Sequence, residues 1–281
     1  MPKLHMPDET IPGHAREIER REPPRSAAQC EYWADFTLDV LRRAGIAPGM
    51  RVLDLGSGGG DVAMLAASLV GPAGEVIGVD RAPDSVDRAT ARAAASELAN
   101  IEFVAAELGT YVPPGPFDAV VGRFVLMYQL DPAALLRRLT TSLAPSGVLA
   151  FVEMDLTSAR TTPAVPFVDD LLERMRETCR RAGVAIDLGP RLWRSFRAIG
   201  IADSEIQVDA RAEPAPANRA TEVMAALATD LLPMMERLGV VRPGEHDLDS
   251  LTPRLRAALV ERQATFIPPN AVGTIGRLGR T

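Results

Sequence analysis

Asp54 ends a short apolar run and is followed by a glycine cluster made of Gly56, Gly58 and Gly60. Apolar residues at helical spacing begin directly afterwards, at Val62. This order predicts a strand, a tight turn and a helix. Glycine lets the backbone take a positive φ and approach a ligand closely, and a helix start presents unpaired N–H groups to that ligand. The segment therefore predicts a loop that binds a nucleotide-like ligand.

The charge of Asp54 bears on which ligand this loop binds. A dinucleotide brings a pyrophosphate to such a turn, and a carboxylate at the strand end would repel it. The ammonium and sulfonium groups of S-adenosylmethionine (AdoMet) are cations, which suit a carboxylate. Asp61 points the same way, because it stands where the dinucleotide fingerprint G-x-G-x-x-G has glycine or alanine. The loop thus favours AdoMet over a dinucleotide.

Further short apolar runs alternate with helical patterns along the chain. The predicted strands after the first cover residues 75–80, 101–107, 117–123, 147–153, 205–211 and 271–277, with a turn at 144–147. The predicted helices cover 62–70, 83–98, 132–143, 165–182 and 189–199, and a helical insert covers 218–262. Alternating strands and helices predict a parallel α/β sheet with helices on both faces.

Five motifs in this order resemble the class I AdoMet-dependent methyltransferase family over about residues 46–155. They read VLDLGSGGGD, VIGVDRAP, FVAAEL, FDAVVGRFVLMY and LAPSGVLAFVE. The resemblance implies a doubly wound, mostly parallel seven-stranded sheet, with an N-terminal helical lid and a helical insert between the last two strands. It also implies that AdoMet is the cofactor and that S-adenosylhomocysteine is its product.

The resemblance also implies a set of cofactor-binding residues. Asp80 lies about 20 residues beyond the glycine loop and should bind the ribose hydroxyls, as its spacing also predicts. Arg123 should lie near the methionine end, although it could instead pair with a surface carboxylate. Glu107 stands where the family often has an Asp that binds the adenine amino group, and this departure weakens that assignment. The full predicted set is Asp54, Gly56, Ser57, Gly58, Gly60, Asp80, Arg81, Glu107, Leu108 and Arg123.

Composition restricts the class of partner. The chain has 281 residues and a net charge of −6, which argues against a nonspecific polynucleotide binder because phosphate binding needs a basic face. The start of the chain has no apolar signal core and no run is long enough to span a membrane, so we expect a cytoplasmic protein without a membrane partner. Cys30 and Cys179 lie far apart and the three histidines show no ligand spacing, so we expect no metal.

The flanks of the core should determine the substrate. The predicted organisation is a lid over residues 1–45, a cofactor core over 46–160, a substrate-side helical segment over 161–185, a core continuation over 186–213, a cap insert over 214–265 and a last core strand over 266–281. Tyr32 and Trp33 in the lid would contact the substrate or the methionine end, or would simply pack against the sheet. The insert would cover the pocket, or would form the face of a homodimer.

Polar residues near the strand ends are the candidates for catalysis. Tyr128, Glu153 and His14 are the predicted catalytic residues, and Tyr32, Trp33, Tyr128 and Asp155 are the predicted substrate-binding residues. Glu153 and Asp155 are two residues apart, so an extended strand would point both to the same side. Solvation at the surface would explain both of them almost as well.

The predicted function is methyl transfer to a small molecule, such as a secondary metabolite. Members of the family that methylate base amino groups or side-chain amides carry an Asn/Asp-Pro-Pro-aromatic tetrapeptide after the fourth strand, whereas this chain reads Gly-Arg-Phe-Val there. Two alternatives remain open. One is an AdoMet-binding enzyme that catalyses a cyclisation or rearrangement without methyl transfer, and the other is an NAD-dependent oxidoreductase, which Asp54 and Asp61 disfavour.

Overall fold

A computed structural model describes residues 31–216, 219–244 and 250–279. Its strands are β1 (Arg51–Leu55), β2 (Glu75–Asp80), β3 (Ile101–Ala105), β4 (Phe117–Arg123), β5 (Leu143–Asp155), β6 (Arg160–Thr162), β7 (Ser204–Asp209), β8 (Glu213–Pro214), β9 (Thr265–Ile267) and β10 (Asn270–Arg277). Its helices are α1 (Ala34–Arg43), α2 (Asp61–Val70), α3 (Pro83–Ala95), α4 (Pro132–Thr140), α5 (Pro166–Arg181), α6 (Leu188–Ala198), α7 (Ala220–Arg237) and α8 (Leu251–Glu261).

Seven of these strands form one sheet in the order β3-β2-β1-β4-β5-β10-β7. The first five run parallel, and β10 lies antiparallel between β5 and β7. Every residue of β4 except Asp118 is buried, as expected for a parallel strand that is covered on both faces. The predicted fold class, a doubly wound and mostly parallel seven-stranded sheet, is confirmed.

Two glycines of β10 allow helices to pack closely on opposite faces of the sheet. A Cβ at Gly273 would lie 2.5 Å from Cγ2 of Val40 in α1, and a Cβ at Gly276 would lie 2.6 Å from Cδ2 of Phe196 in α6. Since successive side chains of a strand alternate between faces, these two positions are on different sides. The strand therefore joins α1 and α6 to one continuous core.

The predicted insert between the last two strands is present, and it carries a feature that the sequence patterns did not indicate. Helices α7 and α8 lie between β7 and β10 in the chain. Strands β8 and β9, at the two ends of this insert, join β6, which follows β5 in the chain, in a separate antiparallel sheet of order β6-β9-β8. They are two or three residues long, which is too short for an alternating pattern to be visible.

Some predicted boundaries differ from the observed ones. The segment predicted as a turn at 144–147 lies within β5, where the pairing shifts from Phe117–Leu143 to Ala119–Val148 and Ser146 takes a φ of +69°. β3 ends at Ala105, so Glu107 lies in the following loop. In the part of the chain that the structure describes, the helices are too short or too polar to cross a membrane.

The contact between β5 and α6 should contribute strongly to stability. Phe151 is fully buried and meets Phe196 edge to face, with 6.4 Å between ring centroids. Phe151→Ala should lower the free energy of unfolding by about 3–5 kcal/mol because it removes buried apolar surface and leaves a cavity. Chemical denaturation measures this change, and Val112→Ala, at a position that is 80% exposed, is the control. A loss below about 1 kcal/mol would contradict the described packing.

Candidate active site

The ends of the parallel strands bring the predicted cofactor residues to one edge of the sheet. Leu55 at the end of β1 is in register with Val79 of β2 and with Gly122 of β4. Because β2 and β4 flank β1 and lead away from it in opposite directions, the chain changes direction in the sheet at this point. Ligands of open α/β sheets bind at such a crevice, outside the carboxyl ends of the strands.

The glycine loop between β1 and α2 has the geometry that the sequence predicts. Gly56, Gly58 and Gly60 take φ values of +61°, +51° and +86°. A Cβ at Gly56 would lie 2.5 Å from Val125, and a Cβ at Gly60 would lie 2.7 Å from Phe103, so packing requires glycine at both positions. A Cβ at Gly58 would meet no described atom within 4 Å. The loop is thus packed at both ends and open in the middle.

Asp80 holds two loops in place with one carboxylate. Its Oδ2 accepts a hydrogen bond from the Gly58 amide at 2.9 Å, and its Oδ1 accepts one from the Ala82 amide at 2.9 Å. The glycine loop and the loop after β2 therefore face each other across this side chain. Arg81, the next residue, is half-buried. A carboxylate at the end of β2 is correctly placed for a ligand in the crevice.

Asp54 is fully buried, and neither of its oxygens accepts a hydrogen bond of acceptable geometry from the described residues. Burial raises the pKa of this carboxyl well above its ordinary value. The charge of Arg123 and the backbone amide of Ala63 oppose that shift, whereas Asp61 and Asp80 add to it. A buried carboxylate without donors is costly for the free protein, and a cationic ligand in the crevice would offset that cost.

Arg123 lies at the end of β4, with 2% of its side chain exposed. Its Nη1 donates to Oγ1 of Thr37 in α1 at 3.1 Å, and its Nη2 lies 3.8 Å from Oδ2 of Asp61 in α2. Arg123 is therefore buried between two helices and the sheet, and its contact with the partly exposed Asp61 leaves the alternative of pairing with a carboxylate open. This position agrees with the predicted one beside the cofactor loop.

Hydrogen bonds to backbone carbonyls hold the loop after β3. The Glu107 carbonyl accepts hydrogen bonds from the amides of Thr110 and Tyr111 at 3.0 and 2.9 Å, while the Glu107 side chain is exposed. Leu108 is buried, and its carbonyl accepts a hydrogen bond from Arg138 of α4. The buried Leu108 and the exposed Glu107 are therefore both held in the loop that follows β3.

Tyr32 and Trp33 lie in a chain of aromatic contacts that reaches the site. Trp33 meets Tyr32 and Phe124 edge to face, at centroid distances of 5.1 and 5.0 Å. Phe124 directly follows β4 and has a φ of +54°, a strained value for a bulky residue. Both lid aromatics are buried, which fits the packing alternative for these residues as well as substrate contact.

The outer end of this chain of rings is held by polar contacts. The Tyr32 hydroxyl donates to Glu213 of β8 at 2.5 Å, and the guanidinium of Arg211 lies 4.3 Å from the Tyr32 ring centroid. Burial and the Glu213 carboxylate raise the pKa of Tyr32. Phe124, Arg211 and Glu213 were not among the predicted site residues, because nothing in the local sequence indicates contacts across such distances.

Glu153 does not have the environment that a general base requires. It is fully buried, and its carboxylate accepts hydrogen bonds from the amides of Val125, Leu126 and Met127 at 3.1, 2.8 and 3.3 Å. These amides begin the short 3₁₀ turn Leu126–Tyr128. Glu153 therefore caps that turn from the neighbouring strand, and the structure does not support the predicted catalytic role.

The remaining predicted residues differ in their surroundings. Tyr128 is half-buried at the end of the turn that Glu153 caps. Asp155 accepts hydrogen bonds from the amide and the hydroxyl of Thr157, so it initiates the 3₁₀ turn Leu156–Ser158. This turn-forming role agrees with the alternative that Asp155 has no catalytic or substrate-binding role. His14 lies outside the described residues.

Within residues 31–216, 219–244 and 250–279, no three His, Cys, Asp or Glu side chains are grouped as metal ligands would be. Burial raises the pKa of the Cys179 thiol to about 12, so this thiol stays protonated at neutral pH.

The environment of Asp54 predicts a pH-dependent stability. A raised carboxyl pKa means that the folded protein is destabilised as pH rises from the unfolded carboxyl pKa, about 4, towards the folded value. Asp54→Asn removes this titration, so we expect it to stabilise the ligand-free protein by about 1–2 kcal/mol at pH 7 and to flatten the loss of Tm above pH 4. Thermal denaturation across pH measures both effects. Asp84→Asn, at an exposed position, is the control, and destabilisation by Asp54→Asn at every pH would contradict the unpartnered state of Asp54.

Comparisons with known proteins indicate the family of this chain. The chain matches the model of a methyltransferase domain over residues 46–207, more than half of its length. The arsenite methyltransferase of Halobacterium salinarum is 34% identical over 129 residues, which are 46% of this chain and 31% of that protein. The trans-aconitate 2-methyltransferase of Methylobacterium radiotolerans is 36% identical over 132 residues, which are 47% of this chain and 45% of that protein.

A solved structure supports the same fold. Phosphoethanolamine N-methyltransferase 2 of Haemonchus contortus, in complex with phosphomonomethylethanolamine and S-adenosylhomocysteine, aligns with a TM-score of 0.59 at 17% identity. The alignment covers 100% of this chain and 62% of that one. The chain spans less than half the length of either curated relative named above. From the domain match, the strand order and the glycine loop together, we conclude that the chain belongs to the class I, AdoMet-dependent methyltransferase family.

Proposed function

We propose that this protein transfers a methyl group from AdoMet to a small-molecule acceptor. The observation that carries the proposal is the buried Asp54 carboxylate, which lacks a hydrogen-bond donor at the end of β1. Ser57 Oγ, in the glycine loop, is a further buried polar atom without a hydrogen-bond partner among the described residues. These three atoms, the two Asp54 oxygens and Ser57 Oγ, together with the open space at Gly58, fit a ligand that carries both a cation and hydrogen-bonding groups.

Under this proposal, different residues of the crevice would bind different parts of the cofactor. Asp54 would face the cationic methionine end, and Asp80 would accept hydrogen bonds from the ribose hydroxyls. Leu108 would pack against the adenine, and Glu107 would bind its amino group. When bound, AdoMet would supply a methyl group that its sulfonium has already activated.

The protein must then align the acceptor and exclude water. The in-line displacement needs the nucleophile close to the methyl carbon, and a dry pocket strengthens the electrostatic interactions that hold it. Trp33 and Phe124 provide rigid apolar surface beside the strand ends. Tyr128 remains as a candidate for orienting the acceptor or for accepting its proton, because the Glu153 carboxylate is occupied by backbone amides.

The relatives suggest which acceptors to test. Their names give arsenite, trans-aconitate and, for a protein of Xanthomonas campestris that is 32% identical over 134 residues, an O-methylation in ubiquinone biosynthesis. Arsenite binds thiolates, but the Cys179 thiol is buried and has a raised pKa, which leaves Cys30 as the other cysteine of the chain. We therefore favour a carbon-based acceptor with a carboxylate or phenolic oxygen over arsenite.

Two experiments test the proposal. Calorimetric titration with AdoMet, S-adenosylhomocysteine and NAD should show binding of the first two alone. Incubation with methyl-labelled AdoMet and carboxylate, phenol, amine and arsenite acceptors should then transfer label to an acceptor. Binding of NAD without AdoMet would overturn the family-based assignment of the cofactor, and turnover of an acceptor without transfer of label would indicate a cyclisation or rearrangement instead.

The ribose role of Asp80 gives a direct mutational prediction. Asp80→Ala should weaken AdoMet binding by about 1.5–3 kcal/mol, because it removes charge-assisted hydrogen bonds. Isothermal calorimetry measures the affinity, and circular dichroism checks the fold. Asp84→Ala, four residues further on at an exposed position, is the matched control. Equal affinity of folded Asp80→Ala and wild-type protein would contradict the role.

A further inference from the structure

Arg92 binds the cofactor loop from outside the crevice. It lies on α3, far from the loop in sequence. Its Nη1 donates to the Gly59 carbonyl, and its Nη2 forms an ion pair with Oδ1 of Asp61 at 2.7 Å. A Cβ at Gly59 would lie 3.0 Å from Arg92 Nη1, so the guanidinium is packed directly against the backbone of the loop. One side chain thus contacts the loop and the first residue of the helix after it.

Asp61 connects this outer contact to the interior. While its Oδ1 pairs with Arg92, its Oδ2 faces Nη2 of Arg123 at 3.8 Å. Arg123 also donates to Thr37 of α1. One carboxylate therefore lies between two guanidinium groups, one 47% exposed and one 2% exposed. The start of α2 is held from both sides by charges that belong to α3 and β4.

The loop needs such external support because it cannot hold itself. Gly58, Gly59 and Gly60 have no side chains, and two of them have positive φ, so the free segment has many accessible conformations. A ligand that must order the loop when it binds loses part of its binding energy to that ordering. An exposed ion pair alone contributes little to stability. A guanidinium that binds a carbonyl and a carboxylate together, however, fixes the orientation of the loop as well as its distance from the helix.

We propose that Arg92 is a positioning residue for AdoMet. It acts through Gly59 and Asp61, holds the glycine loop in its binding conformation and does not itself contact the cofactor. This role rests on the proposed function. It also gives the affinity for AdoMet a dependence on salt, because nearly half of the Arg92 side chain is exposed and its pairing with Asp61 is screened.

Three variants test this role. Arg92→Met keeps much of the apolar stem and removes both contacts, Arg92→Lys can satisfy one partner at a time, and Arg88→Met is the control. Arg88 lies one turn earlier on the same helix, and its described hydrogen bond goes to Ser85 Oγ, at 2.9 Å, and not to the loop. Calorimetry gives the Kd for AdoMet at about 0.05 M and about 0.5 M salt. Thermal denaturation gives Tm, and kinetics give KM for AdoMet and kcat separately.

We expect Arg92→Met to raise the Kd and the KM for AdoMet about tenfold at low salt, with Tm and kcat at saturating AdoMet close to those of the wild type. Arg92→Lys should lie between them, and Arg88→Met should match the wild type. The difference between wild type and Arg92→Met should shrink at high salt, which a purely structural role would not produce. If Arg92→Met lowers Tm, Arg92→Gln is measured in its place.

The outcomes separate this inference from the proposed function. Wild-type protein that binds no AdoMet would overturn both. Wild-type protein that binds AdoMet, with folded Arg92→Met or Arg92→Gln binding it equally tightly, would overturn the positioning role alone. A weakening by Arg88→Met as large as that by Arg92→Met would also overturn it, because the effect would then come from the charge of α3 in general.

Discussion

Asp54 is buried at the end of β1, in a position where water cannot reach its carboxylate and no described donor satisfies it. Three charged residues surround this carboxyl group, namely Arg123, Asp61 and Asp80. Arg123 approaches from β4 but is shared with Thr37 and Asp61, so it compensates Asp54 only in part. Under the proposed function a cationic ligand would supply the missing partner, and the cost to the free protein would become selectivity for a cation.

Glu153 shows what the same protein does with a buried carboxylate that serves the fold. It is buried as completely as Asp54, but three amides of the following turn donate to it. Its charge is thereby satisfied, and it fixes the direction in which the chain leaves β4. The two acids lie on strands of one sheet, and they differ in their hydrogen-bond partners: Glu153 has three backbone donors, whereas the Asp54 oxygens have none among the described residues.

The centre of the sheet could be predicted from the sequence because β1, β2 and β4 are almost wholly buried and appear as continuous apolar runs, whereas the edge strands β3 and β7 are partly exposed. The spans predicted for β2 and β4 coincide with those observed. Positions that depend on local backbone chemistry, such as Gly56, Gly60 and Asp80, were also predictable, since a positive φ or a strand end restricts the residue type.

Contacts made across the fold could not be predicted in this way. Glu153 looked like a candidate base because its amide partners lie 26 to 28 residues away, and Arg92 gave no signal because its partners lie 31 and 33 residues away. The small sheet of β6, β9 and β8 was missed because strands of two or three residues show no period. Under the proposed function, we expect the identity of the acceptor to depend on such distant contacts.

The position of β10 in the sheet has a consequence for how the chain folds during synthesis. β10 separates β5 from β7 and pairs with both along most of its length, but the whole helical insert precedes it in the chain. Until β10 has been synthesised, both neighbouring strands keep an open edge, with unpaired amides and carbonyls that could pair with another chain. These two edges should therefore stay exposed until β10 has been made, because this one strand pairs with both of them.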